Sequence, residues 1–354
     1  MSRRNIYYWK CDRPAAFHGT QELREPDPRM EDQLRAAVQE RFPGTQIELT
    51  PANSQGNHLT WNVSLDGTPL FARVEHGPES DAQQEIESAV MARVRALGVP
   101  VPVVAAVDAS RTRVPFAWQL MERIPFPDLN QWYKEGSLDQ PAIAFAIGEA
   151  VATWQGIRPS GFGPFESAEA CGHPRYEDYF LLRLEDHLGF LVEREFLNTE
   201  QRKEIERAIE SHRDLLSLDH ACLVHKDLAL WNILGSPDRI AAFIDFDDVI
   251  GGDPLDDLSM LACFHDAAFL QQAFAGYQSI LPLPDEHRRR FWLHLLRNMI
   301  VKAVIRVGAG YFDRTGAFFL IGAGSSGQDL RRMTTERIAL ALRGLQTNAD
   351  LSIL

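Results

Sequence analysis

Cysteine is scarce in this sequence: Cys11, Cys171, Cys222 and Cys263 lie far apart along 354 residues, with no pair in C-x-x-C spacing. That distribution argues against a zinc cluster or a disulfide framework and fits a reduced, cytoplasmic setting. Long apolar runs are missing too. The stretch from Ile143 to Val151 is interrupted by Gly148 and Glu149, and no apolar segment follows Arg3 and Arg4. Neither membrane insertion nor secretion is expected. Positive charge is not in excess, the formal net charge being −13. Nucleic-acid phosphates would be repelled, so no such partner is expected, whereas a cationic ligand is mildly favoured; solubility alone is sufficient reason for the charge. The sequence also lacks a G-x-S-x-G elbow, an H-E-x-x-H helix and any internal repeat, which removes the common serine and zinc hydrolases.

What remains is a globular composition long enough for one or two hydrophobic cores. Residues 1–30 read as an arm with an aromatic knot at Tyr7, Tyr8 and Trp9. A helix is expected from Pro28 to Arg41, where Leu34, Val38 and Phe42 recur every four residues before Pro43-Gly44. Extended segments follow at Gln46 to Thr50, Leu59 to Leu65 and Thr68 to Val74, the last two joined by the hairpin signal Asp66-Gly67. A helix from Ser80 to Leu97 and strands from Val101 to Val107 and Phe116 to Met121 complete residues 31–122. Glu122 to Pro127 carries two X-Pro pairs and makes a natural hinge. Beyond it, residues 123–354 are mainly helical apart from a compact extended region, Ala221 to Ile250.

That region holds the strongest chemical signal. His225-Lys226-Asp227 is followed by Asn232, and Ile244-Asp245-Phe246-Asp247 returns after a second short apolar strand. Phosphoryl transfer asks a protein for a carboxylate to orient a hydroxyl and accept its proton, and for oxygen ligands to magnesium. Asp227, Asn232 and Asp245 can supply them. With these motifs in order, residues 31 to about 340 resemble the aminoglycoside phosphotransferase and choline kinase group, relatives of the protein kinases.

The resemblance implies an α+β, bilobal fold: a small antiparallel β-rich lobe over a larger, mainly helical one, with nucleotide in the cleft. It makes Asp227 the catalytic base, Asn232 and Asp245 the magnesium ligands, and ATP or GTP the phosphate donor. The loop Ser54 to His58, with Gly56 and Asn57, becomes the phosphate cover. Arg73 becomes the strand cation on the phosphates, with Glu87 as its partner and Glu85 as the alternative; a solvated surface pair is the simpler reading of Arg73 and Glu87. Glu122 and Ile124 flank the nucleotide base, which is read mostly by backbone groups. His225, Asp253 and Asp257 take structural roles.

Three departures stand out. Arg73 replaces the lysine of protein kinases, so its phosphate contacts need not be equivalent. Lys226 stands between the His and the Asp, facing either the transferred phosphate or solvent. Asp247 replaces a glycine, so a protein-kinase activation switch is not implied. The acceptor is a small molecule bearing a hydroxyl, such as an aminoglycoside or another antibiotic or metabolite. Glu185 and Asp186 face either a cationic acceptor or water, and antibiotic resistance is one role the resemblance carries. A catalytically silent nucleotide-binding scaffold of the same fold is the alternative. Gly322, Gly324 and Gly327 match G-x-G-x-x-G, but too near the C-terminus for a dinucleotide-binding sheet, and read as a turn. His18, His58, His173 and His265 read as surface or packing residues.

Overall fold

The computed structural model describes residues 2–12, 28–52, 58–75, 77, 80–316, 324 and 326–354. Five antiparallel strands form the first sheet: β1 (Ile47–Pro51), β2 (Leu59–Leu65), β3 (Thr68–Glu75), β4 (Val104–Asp108) and β5 (Ala117–Glu122), in the order β1-β2-β3-β5-β4. Asp66 and Gly67 both adopt positive φ, 48° and 83°, which gives the tight turn that pairs Leu65 with Thr68. Side chains alternate along β3. Leu70, Ala72 and Val74 join Trp61, Phe116 and Leu120 in one hydrophobic core, which the helix Pro28–Arg41 closes with Leu34 and Val38. Arg73 therefore points the other way, toward the helix Gln83–Ala96.

That helix buries Glu87, Val90, Met91 and Val94 on one stripe. Its apolar members belong to a second, larger core that runs through the C-terminal part of the chain. Each large side chain taken fully from water there stabilises the fold by about 1.5–3 kcal/mol. The helices Gln140–Trp154 and Ala267–Ile280 approach closely at Gly148 and Gly276. A Cβ at either would fall 1.9 Å from a carbonyl oxygen, of Ala273 or Phe145, so only glycine lets these backbones meet.

Two further antiparallel sheets frame the segment from His225 to Asp247. One pairs Ile233–Ser236 with Arg239–Phe243, and the other orders Cys171–His173, Phe162–Phe165, Ile250–Gly252 and Cys222–Val224. All three sheets pair their strands antiparallel, so the described residues contain no doubly wound nucleotide sheet. Gly327 opens the helix Gly327–Thr347, capped by Ser326; residues 322, 323 and 325 of the glycine motif lie outside the described residues. No helix among the described residues is long and apolar enough to cross a membrane.

Residues 2–12 run into the large core. Tyr7, Tyr8 and Cys11 are part of it, and Arg3 is buried between Asp81 and Asp247, at 2.9 and 3.0 Å. The segment is thus built into the fold, with its two tyrosines facing the loop after the strand Cys222–Val224.

Candidate active site

The loop His225–Asn232 takes its shape from one buried carboxylate. Asp257, at the start of the helix Asp256–Leu261, accepts the backbone N–H groups of His225 (2.9 Å) and Lys226 (3.0 Å) and the indole N–H of Trp154 (3.1 Å). These bonds hold Lys226 at φ 70°, a conformation non-glycine residues seldom adopt without such support. His225 Nε2 donates to Ile244 O (3.0 Å) and its Nδ1 faces the N–H of Asp227 (3.4 Å). Ile244 N in turn donates to Asn232 O (3.0 Å). The two halves of the sequence motif are thereby tied together, with Asp245 one residue beyond the tie and itself at φ 65°.

Asp227 is 2% exposed, and among the described residues four side chains donate to its carboxylate. Tyr8 Oη donates to Oδ1 at 2.6 Å and Lys10 Nζ to Oδ2 at 2.6 Å. Lys302, on the long helix His287–Gly308, donates to Oδ1 at 3.1 Å, and Asn232 Nδ2 to Oδ2 at 3.1 Å. Burial opposes ionisation, yet Lys10 and Lys302, with the Lys10 and Tyr8 hydrogen bonds, hold the carboxyl far below its usual range. The Tyr8 phenol moves the opposite way: burial first, then the charges of Asp227 and Asp248, raise its pKa well above the ordinary value, so it stays a donor.

From the five-stranded sheet, Arg73 joins the small lobe to the second half of the motif. Its guanidinium donates to Glu87 Oε1 (2.7 Å) and Asp245 Oδ1 (3.3 Å). Burial opposes its charge, but Glu87, Asp245 and Asp247 more than offset this and keep it protonated. Glu85 instead accepts the N–H of Ala109 (3.0 Å), so Glu87 is the helix carboxylate beside Arg73. The pair is buried, not solvated.

Asn232 and Asp245 fit a hard divalent cation. The amide nitrogen of Asn232 is committed to Asp227, at both O (2.8 Å) and Oδ2, which turns the amide oxygen outward as the atom that could ligate. The Asp245 side chain is 30% exposed, and oxygen donors of this kind suit magnesium. His58 belongs to the same corner: its Nε2 lies 3.4 Å from Asp247 Oδ2, and His58, Asp245 and Asp247 converge closely enough to share an ion. His58 is thus largely buried beside Asp247, with its side chain 11% exposed. Burial and Arg73 lower its pKa. His265 is a core residue, stacked on Phe269.

Lys226 faces neither a phosphate nor solvent. Its ammonium is buried against Asp256 (2.7 Å), Asn298 Oδ1 (3.1 Å) and Tyr7 Oη (3.2 Å), because the left-handed turn aims the side chain into the large lobe. Asp253 is buried and paired with Arg290 (2.7 Å) and His294 (3.2 Å). Glu122 ends β5, with its N–H on Val103 O (2.8 Å) and its carboxylate accepting from Val103 N (3.2 Å). Ile124 is half-buried where the chain crosses between cores. Glu185 and Asp186 are solvent-exposed, and Asp186 pairs with Arg183 at 2.9 Å. Ser54, Gly56 and Asn57 lie outside the described residues, as does His18.

Tyr8, Lys10, Lys302 and Arg3 were missed by sequence reasoning as site residues. The aromatic knot at residues 7–9 was visible, but no spacing connects it to a carboxylate more than two hundred positions away.

Residues 48–292 match the model of the phosphotransferase enzyme family. Among solved structures the chain is similar to the aminoglycoside phosphotransferase APH(4)-Ia, at 17% identity and TM-score 0.62, covering 88% of this chain and 98% of that one. A thermostable variant of that protein, in a ternary complex with AMP-PNP and hygromycin B, aligns at 18% identity and TM-score 0.62, covering 88% and 98%. The ternary complex of APH(2")-IIa with streptomycin and ATP aligns at 16% identity and TM-score 0.58, covering 91% and 99%. Among curated proteins, none matches the sequence.

Proposed function

This chain belongs to the phosphotransferase enzyme family, and we propose that it transfers the γ-phosphate of ATP or GTP to a hydroxyl of a small molecule, with Asp227 as base. The observation that carries the reading is one chain of contacts. Glu87 holds Arg73, Arg73 reaches Asp245, and the strand end before Asp245 is bonded to Asn232, which is bonded to Asp227. A phosphate cation, an oxygen donor set and a base thus line one cleft. Nucleotide and aminoglycoside bound together in the similar structures support a donor and an acceptor sharing such a cleft.

Transfer asks mainly for positioning and charge stabilisation. Arg73, fixed by Glu87, would steer the triphosphate. Magnesium held by the Asn232 amide oxygen and Asp245 would neutralise charge on the phosphate oxygens. Asp227 orients the acceptor hydroxyl and takes its proton. To reach Asp227 an acceptor must replace Tyr8 or Lys10; the Lys10 side chain is 32% exposed and has solvent to swing into. The acceptor class includes aminoglycosides, and the acidic net charge favours a cationic one; a role in antibiotic resistance follows if an aminoglycoside is accepted. Four free thiols suit a cytoplasmic location.

The test is transfer from labelled ATP and GTP, with magnesium, to aminoglycosides, choline, nucleosides and neutral sugars. A labelled product that disappears in Asp227→Ala is expected. The second reading, a silent nucleotide-binding scaffold, is favoured by the capping of both Asp227 oxygens. Magnesium-dependent nucleotide binding without transfer to any acceptor would select it.

A further inference from the structure

The acceptor position is already filled by a hydroxyl of the chain itself. A base that serves phosphoryl transfer accepts a hydrogen bond from the hydroxyl about to be phosphorylated, at about 2.6–3.2 Å. Tyr8 Oη makes that bond to Asp227 Oδ1 at 2.6 Å. We propose that Tyr8 is an intramolecular phosphoryl acceptor, a self-modification site of the enzyme; the inference rests on Asp227 being the base.

Four anchors hold the phenol there. Asp12 Oδ2 accepts the N–H groups of Tyr7 (3.1 Å) and Tyr8 (3.2 Å), and Asp12 is itself held by His187 at 2.7 Å. Tyr179 Oη donates to Tyr7 O (2.7 Å), and Trp9 N donates to Asp248 Oδ1 (3.2 Å). Arg3 stacks 3.6 Å over the Trp9 ring and is salt-bridged to Asp81 and Asp247. A hydroxyl fixed in this way reacts at a high effective concentration, with no entropy left to lose on binding.

The surroundings also suit the product. Lys302 Nζ lies 3.3 Å from the phenolic oxygen and 4.9 Å from the ring centroid, and Lys10 stands on the other oxygen of Asp227. Two ammonium groups therefore face the place where a dianionic ester forms. In the step, the bond between the γ-phosphorus and its bridging oxygen breaks and a nucleoside diphosphate leaves. The phosphorus bonds to the Tyr8 oxygen, and the phenolic proton passes to Asp227 and then to water. Small acceptors and Tyr8 compete for one base.

The full chain is incubated with magnesium and ATP or GTP without added acceptor, and phosphate is located by tandem mass spectrometry. The expected result is one phosphate per chain on Tyr8, at a rate independent of protein concentration. Asp227→Asn lowers that rate by about 10²–10⁴-fold, and Tyr8→Phe, which keeps the ring, carries no label. Phosphate on another residue, labelling that persists in Tyr8→Phe, or a rate that rises with protein concentration overturns the inference. An unmodified Tyr8 does so as well. Calorimetry on the same sample keeps the two readings apart: magnesium-dependent nucleotide binding with an unmodified Tyr8 defeats the self-acceptor alone, whereas loss of binding defeats the kinase reading beneath it.

Discussion

The two halves of the proposed site, donor and acceptor, are built on opposite terms. On the donor side Arg73 is buried with Glu87 but shares only a 3.3 Å contact with Asp245, whose side chain is 30% exposed. That side is organised yet keeps a carboxylate open to a cation. On the acceptor side Asp227 is 2% exposed and both its oxygens are taken by Tyr8, Lys10, Lys302 and Asn232. On the proposed reading, nucleotide would meet a prepared site, whereas an acceptor would have to displace part of the chain. Affinity for the donor and access for the acceptor are therefore separable by mutation.

The largest separation is expected from Asp227→Asn. Turnover should fall by about 10²–10⁴-fold, the usual range for a removed base, while magnesium-nucleotide binding measured by calorimetry stays near wild type. An equal loss of both would erase the distinction between the two sides. Lys226→Met tests the floor beneath the acceptor side. It leaves Asp256 buried without its ion-pair partner and should lower stability by about 3–5 kcal/mol in urea unfolding. A loss under about 1 kcal/mol would mean that Asn298 alone satisfies Asp256.

Arg73→Met acts on the donor side. Loss of charge-assisted bonds worth about 1.5–3 kcal/mol should weaken nucleotide binding by about ten- to a hundredfold, with the acceptor KM unchanged. A shift in acceptor KM instead would place Arg73 in the wrong half. Acid separates the stability of the helical lobe from the chemistry of the cleft. Burial pushes His265 down to about 3, against about 6.5 when unfolded. Between those values only the unfolded chain takes up the proton, so stability falls as pH drops, by about 2 kcal/mol from pH 7 to pH 5. His265→Gln should flatten that slope, and an unchanged slope would assign it to another group. The smallest effect is expected at Lys10→Met. A partly exposed pair contributes about 0–1 kcal/mol to stability, yet its removal leaves Asp227 Oδ2 with Asn232 as its remaining donor and opens the approach to it, which should raise the initial transfer rate; a slower rate would make Lys10 a helper of transfer and not an obstacle.

What was legible in the sequence follows the range of the forces involved. The hairpin at Asp66-Gly67 was readable because two adjacent residues must both take positive φ. The grouping of Asp227, Asn232 and Asp245 was readable because a short hairpin returns the chain within twenty residues. Arg73 and Glu87, fourteen apart, lie on a neighbouring strand and helix with opposed faces. Tyr8 and Lys10 meet Asp227 across 219 and 217 residues, and no periodicity encodes such a meeting. Lys226 escaped for a different reason: its direction is set by a left-handed turn that Asp257 imposes from thirty-one positions away.

The most direct measurement is single-turnover transfer from labelled ATP and GTP, with magnesium and a panel of hydroxylated acceptors, for wild type and Asp227→Asn side by side. Phosphate should reach a small-molecule hydroxyl in the wild type and fall by about 10²–10⁴-fold in the variant, with nucleotide still bound. Transfer at the wild-type rate by Asp227→Asn would contradict Asp227 as the base.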